Sequence, residues 1–306
     1  MYDSIVIGSG PAGYTAGIYL SRAGQKNMLI SGYVPGGQLT STTTVENFPG
    51  FPEGTQGTEL VLSMKEQAEK FGTEIKEGYV KNISNDSSPF TVELESGERF
   101  ETKTVIIATG SSARKLGIDG EAENIGRGVH ICATCDGFFY RGKEVAIIGG
   151  GDVAMEEAIY LTKFASKVTI INRREELRAS EIMAERARSN PKIEWKLAYS
   201  PVRYLSDASG ITGLEIKNNK TGEVESFKTD GVFLAIGHKP NSGFLNGKLE
   251  LDEKGYIITG AKNSRTSIDG IFAAGDVQDP RYQQAVTSAG SGAAAAMDAQ
   301  DYISSL

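Results

Sequence analysis

The chain reads as an α/β protein built from two Rossmann-like dinucleotide-binding domains, one inserted into a discontinuous other. Three observations predict this. A strand–turn–helix–strand segment occurs twice, three further apolar runs end in small residues, and polar stretches rich in Gly and Pro follow two of those runs. With 306 residues, one or two domains with cores of their own are expected.

The repeat comes first. Residues 4–31, "SIVIGSGPAGYTAGIYLSRAGQKNMLIS", align without a gap with residues 145–172, "VAIIGGGDVAMEEAIYLTKFASKVTIIN". Each copy runs from a β-branched apolar strand through a Gly-rich turn into an amphipathic helix and then a second apolar strand, which is a βαβ unit. The turns are Gly8-x-Gly10-x-x-Gly13 and Gly149-x-Gly151-x-x-Ala154. In such a turn the first Gly permits the tight backbone and the second lets the main chain approach a pyrophosphate. The third small residue lets helix and strand pack closely, and phosphates sit on the helix N-terminus. Two such turns in context predict two dinucleotide sites.

An acid at the end of the second strand would hold a ribose 2′-hydroxyl, and neither copy has one. The first copy ends at Ser31 and continues "GYVPGGQL". The second ends at Asn172, followed by Arg173 and Arg174, with Arg178 one turn later. Paired arginines suit a 2′-phosphate, hence NADP over NAD; a solvated basic helix start is the plainer alternative. The first site lacks that device and better suits FAD.

The runs "TVIIATG" (104–110), "GVFLAIG" (231–237) and "GIFAAGD" (270–276) each read as a buried strand ending where backbone meets a cofactor. "SSARKLGIDG" and "HKPNSGF" follow the first two and read as linkers. The expected division is 1–112 and 243–306 for an FAD domain, with 113–242 as an NADPH domain inside it. The run "QQAVTSAGSGAAAAMDAQDYI" reads as a small-residue helix, whose N-terminus could face a flavin or whose alanines could simply pack a core.

The two cysteines lie together in "CATCDG", residues 132–137. Two intervening residues let both sulfurs share a helical turn and form a reversible disulfide, and a helix N-terminus favours the thiolate. Exchange also needs an acid/base, and Asp136, next to Cys135, fits that role; helix capping is its alternative. A zinc site would need about four ligands, and only His130 and His238 could join the cysteines. No metal is expected.

Composition sets the remaining bounds. The net charge of −7 argues against a nucleic-acid partner or a basic membrane-surface role. No apolar run nears the roughly 18 residues that span a bilayer, and "MYDSIVIGSG" has no basic leader. A cytoplasmic protein is expected, and in a reducing cytosol a Cys pair leans toward redox or metal chemistry.

With these motifs in hand, the chain resembles the low-molecular-weight thioredoxin reductases, nearly end to end. The likeness rests on "GSGPAGYTA", "GGQL", "VENFPGFP", "CATCDG", "GGGDVAMEEA", "RREELRAS", "AIGHKPN" and "FAAGDVQD". It implies a homodimer that carries FAD, uses NADPH and reduces thioredoxin through a redox-active Cys132–Cys135 disulfide. Cys132 would attack the partner protein and Cys135 would stand nearer the flavin, with Asp136 as acid/base. Toward FAD the likeness implies Gly8, Ser9, Gly10, Pro11 and Ala12, then the stretch Ser31 to Leu39 with Gly32, Gly36, Gly37 and Gln38. It adds Asn47, Val80, Ala108, Thr109 and Gly110, and near the C-terminus Gly275, Asp276, Val277, Gln284 and Ala285. Toward NADPH it implies Gly151, Asp152, Val153, Arg173, Arg174, Arg178, Ile236 and Gly237. The chain departs from the family pattern at Gln283, where an Arg is usual, at Asn172, usually His, and at Val153, often Ser.

Alternatives remain at this level: a related flavin-dependent disulfide reductase with another electron donor or a glutaredoxin- or peroxiredoxin-like acceptor, or a non-catalytic redox sensor. Chain order adds one expectation. The disulfide and the nicotinamide belong to the inserted domain, yet both must come within about 3–3.5 Å of a flavin held by the other. The inserted domain is therefore expected to rotate about linkers near 113–119 and 238–243.

Overall fold

The computed structural model describes residues 1–33, 35–41 and 44–306. Val34, within the stretch expected to face FAD, lies outside the described residues. The α-helices among them are, in chain order, α1 (Pro11–Arg22), α2 (Gly57–Phe71), α3 (Glu121–Asn124), α4 (Ala133–Asp136), α5 (Asp152–Leu161), α6 (Glu181–Arg188) and α7 (Ala285–Ser304). The chain divides into two compact units, 1–112 with 238–306, and 113–237.

In the first unit, parallel strands run in the order Glu74–Lys76, Asn27–Ile30, Tyr2–Ile7, Arg99–Ile107 and Ile271–Ala273. The hairpin strands Val80–Ser84 and Phe90–Leu94 join antiparallel, through residues 99–102 of the long strand. The period of two in "SIVI" sorts the first strand's side chains. Val6 faces the cluster made with α1, α2 and α7, while Ile5 and Ile7 face the opposite cluster with Phe90 and Val92. Helix α7 crosses α1 so closely that a Cβ on Gly292 would lie 2.1 Å from the Ala12 carbonyl oxygen. Ala295, Ala296 and Ala299 are fully buried beyond it, so one face of this small-residue helix packs core.

The second unit repeats the plan. Its strands lie in the order Val129–His130, Gly231–Leu234, Glu144–Ile148, Lys167–Asn172 and Ile193–Leu197, all parallel. Counted from Tyr2–Ile7 in the first unit and from Glu144–Ile148 in the second, the parallel strands on one side of each sheet run third, second, first, and the fourth lies beyond the first, as a doubly wound dinucleotide fold requires; Val129–His130, earlier in the chain, is added at the edge. Here α5 and α6 cover one face. An antiparallel sheet of strands Tyr199–Asp207, Gly210–Asn218 and Val224–Lys228 supplies Tyr204, Leu214 and Ile216 to the other.

The linkers are shorter than the sequence suggests. Residues expected to link at 113–119 fold into the second unit: Leu116 and Ile118 pack on its core, and the Leu116 and Gly117 N–H groups donate to Glu121 at 2.8 and 2.7 Å. The return crossing falls at Gly237 and not at residue 242. Asn241 and Ser242 already bond into the first unit, to Thr109 and Gly255. Strands Ser111–Ala113 and His238–Pro240 pair where the chain crosses.

Candidate active site and cofactor cradles

The sheet order brings the ends of the strands together in each unit. In the first, Gly8 closes the Tyr2–Ile7 strand at φ +115°, and a Cβ there would sit 2.2 Å from the Ala108 carbonyl oxygen. That contact explains why Gly8 must be glycine and why Ala108, Thr109 and Gly110 end up beside it. Gly10 caps α1 with no side-chain cap, Pro11 follows, and nothing stands within 4 Å of the position a Gly10 Cβ would take. The result is an open cradle at a helix N-terminus whose N-cap residue supplies no side-chain cap.

The other expected residues gather around that cradle. Ser9 Oγ donates to the Ser31 carbonyl at 2.7 Å and accepts the Gly36 N–H at 3.1 Å. Gly37 approaches Gly10, with a would-be Cβ 3.7 Å from its Cα. A Cβ on Gly275 would come within 3.0 Å of Ala12 Cβ, which places the Gly275–Val277 turn beside α1. Asp276 accepts from Ser288 Oγ at 2.8 Å, and burial pushes its pKa up against that bond. Asn47 Nδ2 donates to Gln284 Oε1 at 3.2 Å, next to Ala285 at the start of α7. Gln38 Nε2 donates to the Ser111 carbonyl at 2.9 Å, and Leu39 packs on the α1 side of the core. Val80 stands apart, its side chain in the cluster on the other face of the sheet. Gln283, at the position where the family has Arg, takes a left-handed backbone (φ +48°), and its Nε2 donates to Tyr256 Oη at 3.3 Å.

The second unit has a matching cradle. A Cβ on Gly149 would meet the Ala235 carbonyl oxygen at 2.4 Å, the counterpart of Gly8 against Ala108. Gly151 caps α5 without a side-chain bond and, like Gly237, has open space where a Cβ would point. Ile236 packs beneath, and Val153 is exposed. The Arg178 N–H donates to the Gly150 carbonyl at 2.7 Å, so the basic segment folds back onto the Gly-rich turn. Asp152 accepts the Ser180 N–H and hydroxyl, each at 2.8 Å, and those bonds hold its carboxyl below the usual carboxylate range. Buried Asn172 donates to the Arg174 and Glu176 carbonyls at 2.8 and 3.1 Å, pinning the segment from below. Arg173, Arg174 and Arg178 are exposed, and none forms a side-chain ion pair with a described residue. Three guanidiniums left without carboxylates beside an open helix N-terminus suit a phosphate ligand.

The redox pair lies in the same unit. Cys132 and Cys135 form a disulfide, with Cys132 capping α4 and the Cα atoms 5.3 Å apart. Thr134 Oγ1 is 3.3 Å from Cys132 Sγ. Asp136 is buried and makes no capping bond; its Oδ2 lies 3.0 Å from Nδ1 of His130. His130 Nε2 in turn lies 2.6 Å from Tyr140 Oη. Behind α4, Glu157 on α5 is so desolvated that its pKa rises to about 7, although the Ala133 N–H works against the shift.

The sequence offered little warning of these partners. His130 is one of two histidines, six residues before Asp136, and that spacing suggests neither a helix face nor a strand partner. Only the fold sets the Val129–His130 strand beside α4.

Residues 2–292 match the family described as pyridine nucleotide-disulphide oxidoreductase. The chain is 46% identical over 301 residues to a thioredoxin reductase of Rickettsia felis, covering 98% of this chain and 97% of the relative. The chain belongs to this oxidoreductase family, in its low-molecular-weight thioredoxin reductase branch. It also matches a longer relative. It is 46% identical over 303 residues to a bifunctional thioredoxin reductase/thioredoxin of Mycobacterium leprae, covering 99% of this chain and 66% of that one. The crystal structure of thioredoxin reductase from Streptococcus pyogenes superposes with a TM-score of 0.95 at 42% identity, over 100% of this chain and 99% of that chain. As a family member the protein is an oxidoreductase that uses a flavin and a pyridine nucleotide.

Proposed function

We propose that the protein is an NADPH-dependent thioredoxin-disulfide reductase, with FAD in the first cradle and NADPH in the second. The observation that carries this reading is the Cys132–Cys135 disulfide at the start of α4 with buried Asp136 next to Cys135, in the unit that also presents three exposed arginines with no ion pair among the described residues. FAD would be held by Gly8 to Ala12, Ser31, Gly36 to Leu39, Ala108 to Gly110, Asp276 and the start of α7. NADPH would be held by Gly151, Asp152, Arg173, Arg174, Arg178 and Gly237. Bound flavin supplies a two-electron carrier between a reduced nicotinamide and the disulfide.

The chain's own residues carry the exchange that follows. A Cys132 thiolate attacks the disulfide of the partner protein, and Cys135, deprotonated by Asp136, then attacks Cys132 Sγ and closes the pair. Burial keeps the Asp136 carboxyl out of bulk water while it exchanges the proton. A homodimer in the cytoplasm completes the reading.

Steady-state assay of the flavin-loaded protein, with NADPH and NADH compared on oxidised thioredoxin, tests it. Turnover is expected with NADPH, and Cys135→Ser is expected to abolish it while leaving flavin bound. Wild-type turnover in that variant, or no turnover of any thioredoxin, would overturn the reading.

A further inference from the structure

The Asp136 carboxylate is held from behind by a ring that the cysteine motif does not contain. His130 lies on the edge strand Val129–His130, and its ring stacks on Phe233 with centroids 5.1 Å apart. Tyr140 meets both rings edge-on, at 5.3 Å from His130 and 5.4 Å from Phe233. Inside this aromatic box three polar groups stand in a row, Tyr140 Oη, the His130 imidazole and Asp136 Oδ2, separated by 2.6 and 3.0 Å.

Hydrogen-bonding logic fixes where the protons sit. Burial, followed by the charges of Asp136 and Asp230, pushes the Tyr140 hydroxyl well above its usual pKa. Oη therefore keeps its proton, and because an ionised Asp136 Oδ2 opposite Nδ1 can only accept, the ring hydrogen belongs on Nδ1 and Nε2 is left to accept from Oη. A neutral imidazole that accepts at Nε2 carries its own hydrogen on Nδ1, which faces Asp136. The charged groups around the row are Asp136, Asp230 acting on Tyr140, the Lys143 ammonium, 5.4 Å from the centre of the Tyr140 ring, and, from α5 against the start of α4, Glu157.

We infer that His130 is a positioning residue for disulfide exchange: locked in one tautomer by Tyr140, it aims Asp136 and stabilises its ionised form, leaving Oδ1 to exchange protons with the cysteines. This rests on the acid/base role given to Asp136 above. The balance is as follows. Cys132 thiolate attacks the substrate disulfide, giving a mixed disulfide and one substrate thiolate, which takes from solvent the proton that Cys132 lost. Cys135 gives its proton to Asp136 Oδ1, and the resulting thiolate attacks Cys132 Sγ. The Cys132–Cys135 bond forms, the second substrate thiolate leaves, and Asp136 returns the proton to it. Two electrons and two protons have moved to the substrate, and Asp136 ends ionised.

The test is the pH profile of kcat/KM for thioredoxin reduction by flavin-loaded wild type, His130→Ala, His130→Asn, Tyr140→Phe and Asp136→Asn. Iodoacetamide alkylation of the dithiothreitol-reduced cysteines against pH gives a readout independent of turnover. A hydrogen bond to the charged form is lost in His130→Ala, so the acidic limb of both profiles is expected to move up by about one pH unit. Below the limb that is about a tenfold loss, and above pH 8 the variant approaches wild type. His130→Asn, whose amide N–H falls where Nδ1 was, should return most of the shift. Tyr140→Phe, which keeps the packing but frees the tautomer, should move the limb the same way. An unmoved limb in His130→Ala and Tyr140→Phe overturns the inference, and so does a loss that is uniform in pH and not rescued by Asn. If Asp136→Asn leaves the limb in place, the reading of Asp136 itself fails. If Asp136→Asn abolishes the limb while His130→Ala leaves it unmoved, only the role of His130 fails.

Discussion

At the scale of single residues, the chemistry depends on carboxyls that the fold takes out of water. Asp136 has His130 beside it; Glu157 has only the Ala133 N–H to work against its burial, and its Oε2 is buried without a hydrogen bond among the described residues. Burial outweighs that one bond and makes the neutral carboxyl the cheaper form, which is why its pKa rises from an ordinary 4.5 to about 7. An unfolded chain ionises this group near 4.5, so the folded state loses stability as pH climbs from there through 7. By linkage the loss is on the order of 3 kcal/mol. Glu157→Gln keeps the shape and removes the titration. The variant should therefore unfold at a higher temperature than wild type at pH 8, and the advantage should shrink toward pH 5. Melting curves with equal differences at both pH values would show that Glu157 carries no such penalty.

At the scale of elements, the same strand–turn–helix device serves two ends. Each first strand stops at a glycine pressed against the carbonyl that follows the fourth strand, and each helix starts with its N–H groups uncapped. What separates the two cradles is the sequel to the second strand. Lys167–Asn172 leads into Arg173, Arg174 and Arg178, fastened to the Gly-rich turn by the Gly150 carbonyl and by Asn172. Main-chain bonds do the fastening, so the guanidiniums stay available. Neutral replacement of Arg173 and Arg174 together should spare the fold and weaken NADPH selectively. With charge-assisted contacts at the lower end of their range, about 1.5 kcal/mol each, kcat/KM with NADPH should fall on the order of a hundredfold. An equal fall with NADH would mean that the arginines hold structure and do not read the 2′-phosphate.

At the scale of the molecule, the chain crosses between its units twice, at 112/113 and at 237/238. In the function proposed above, the nicotinamide and the disulfide belong to one unit and the flavin to the other, and near-contact transfer allows only one of the first two at a flavin edge at a time. A short crosslink engineered between the units should therefore permit one half-reaction, followed in stopped-flow absorbance, and stop the other; full turnover in the locked protein would refute alternation. Much of this was legible in the sequence. The gapless repeat, the Gly-x-Gly spacing and the period-2 strands are local signals, and local signals specify backbone conformation and hence the two βαβ units. The cysteine pair was legible because both sulfurs lie within one turn, and the arginines because they directly follow a strand end. Other features lay between distant segments, and only tertiary structure decided them. Linkers drawn from Gly and Pro content were too long, since Leu116, Ile118 and Asn241 have partners that composition does not reveal. Tyr140, His130 and Asp136 became a row because parallel pairing of Val129–His130 with Gly231–Leu234 stacks His130 on Phe233 beside α4. Glu157 acquired its raised pKa because α5 packs its first turns beneath α4. Burial and hydrogen-bond partners are set by which segments meet in space, and no reading of neighbours along the chain contains that information.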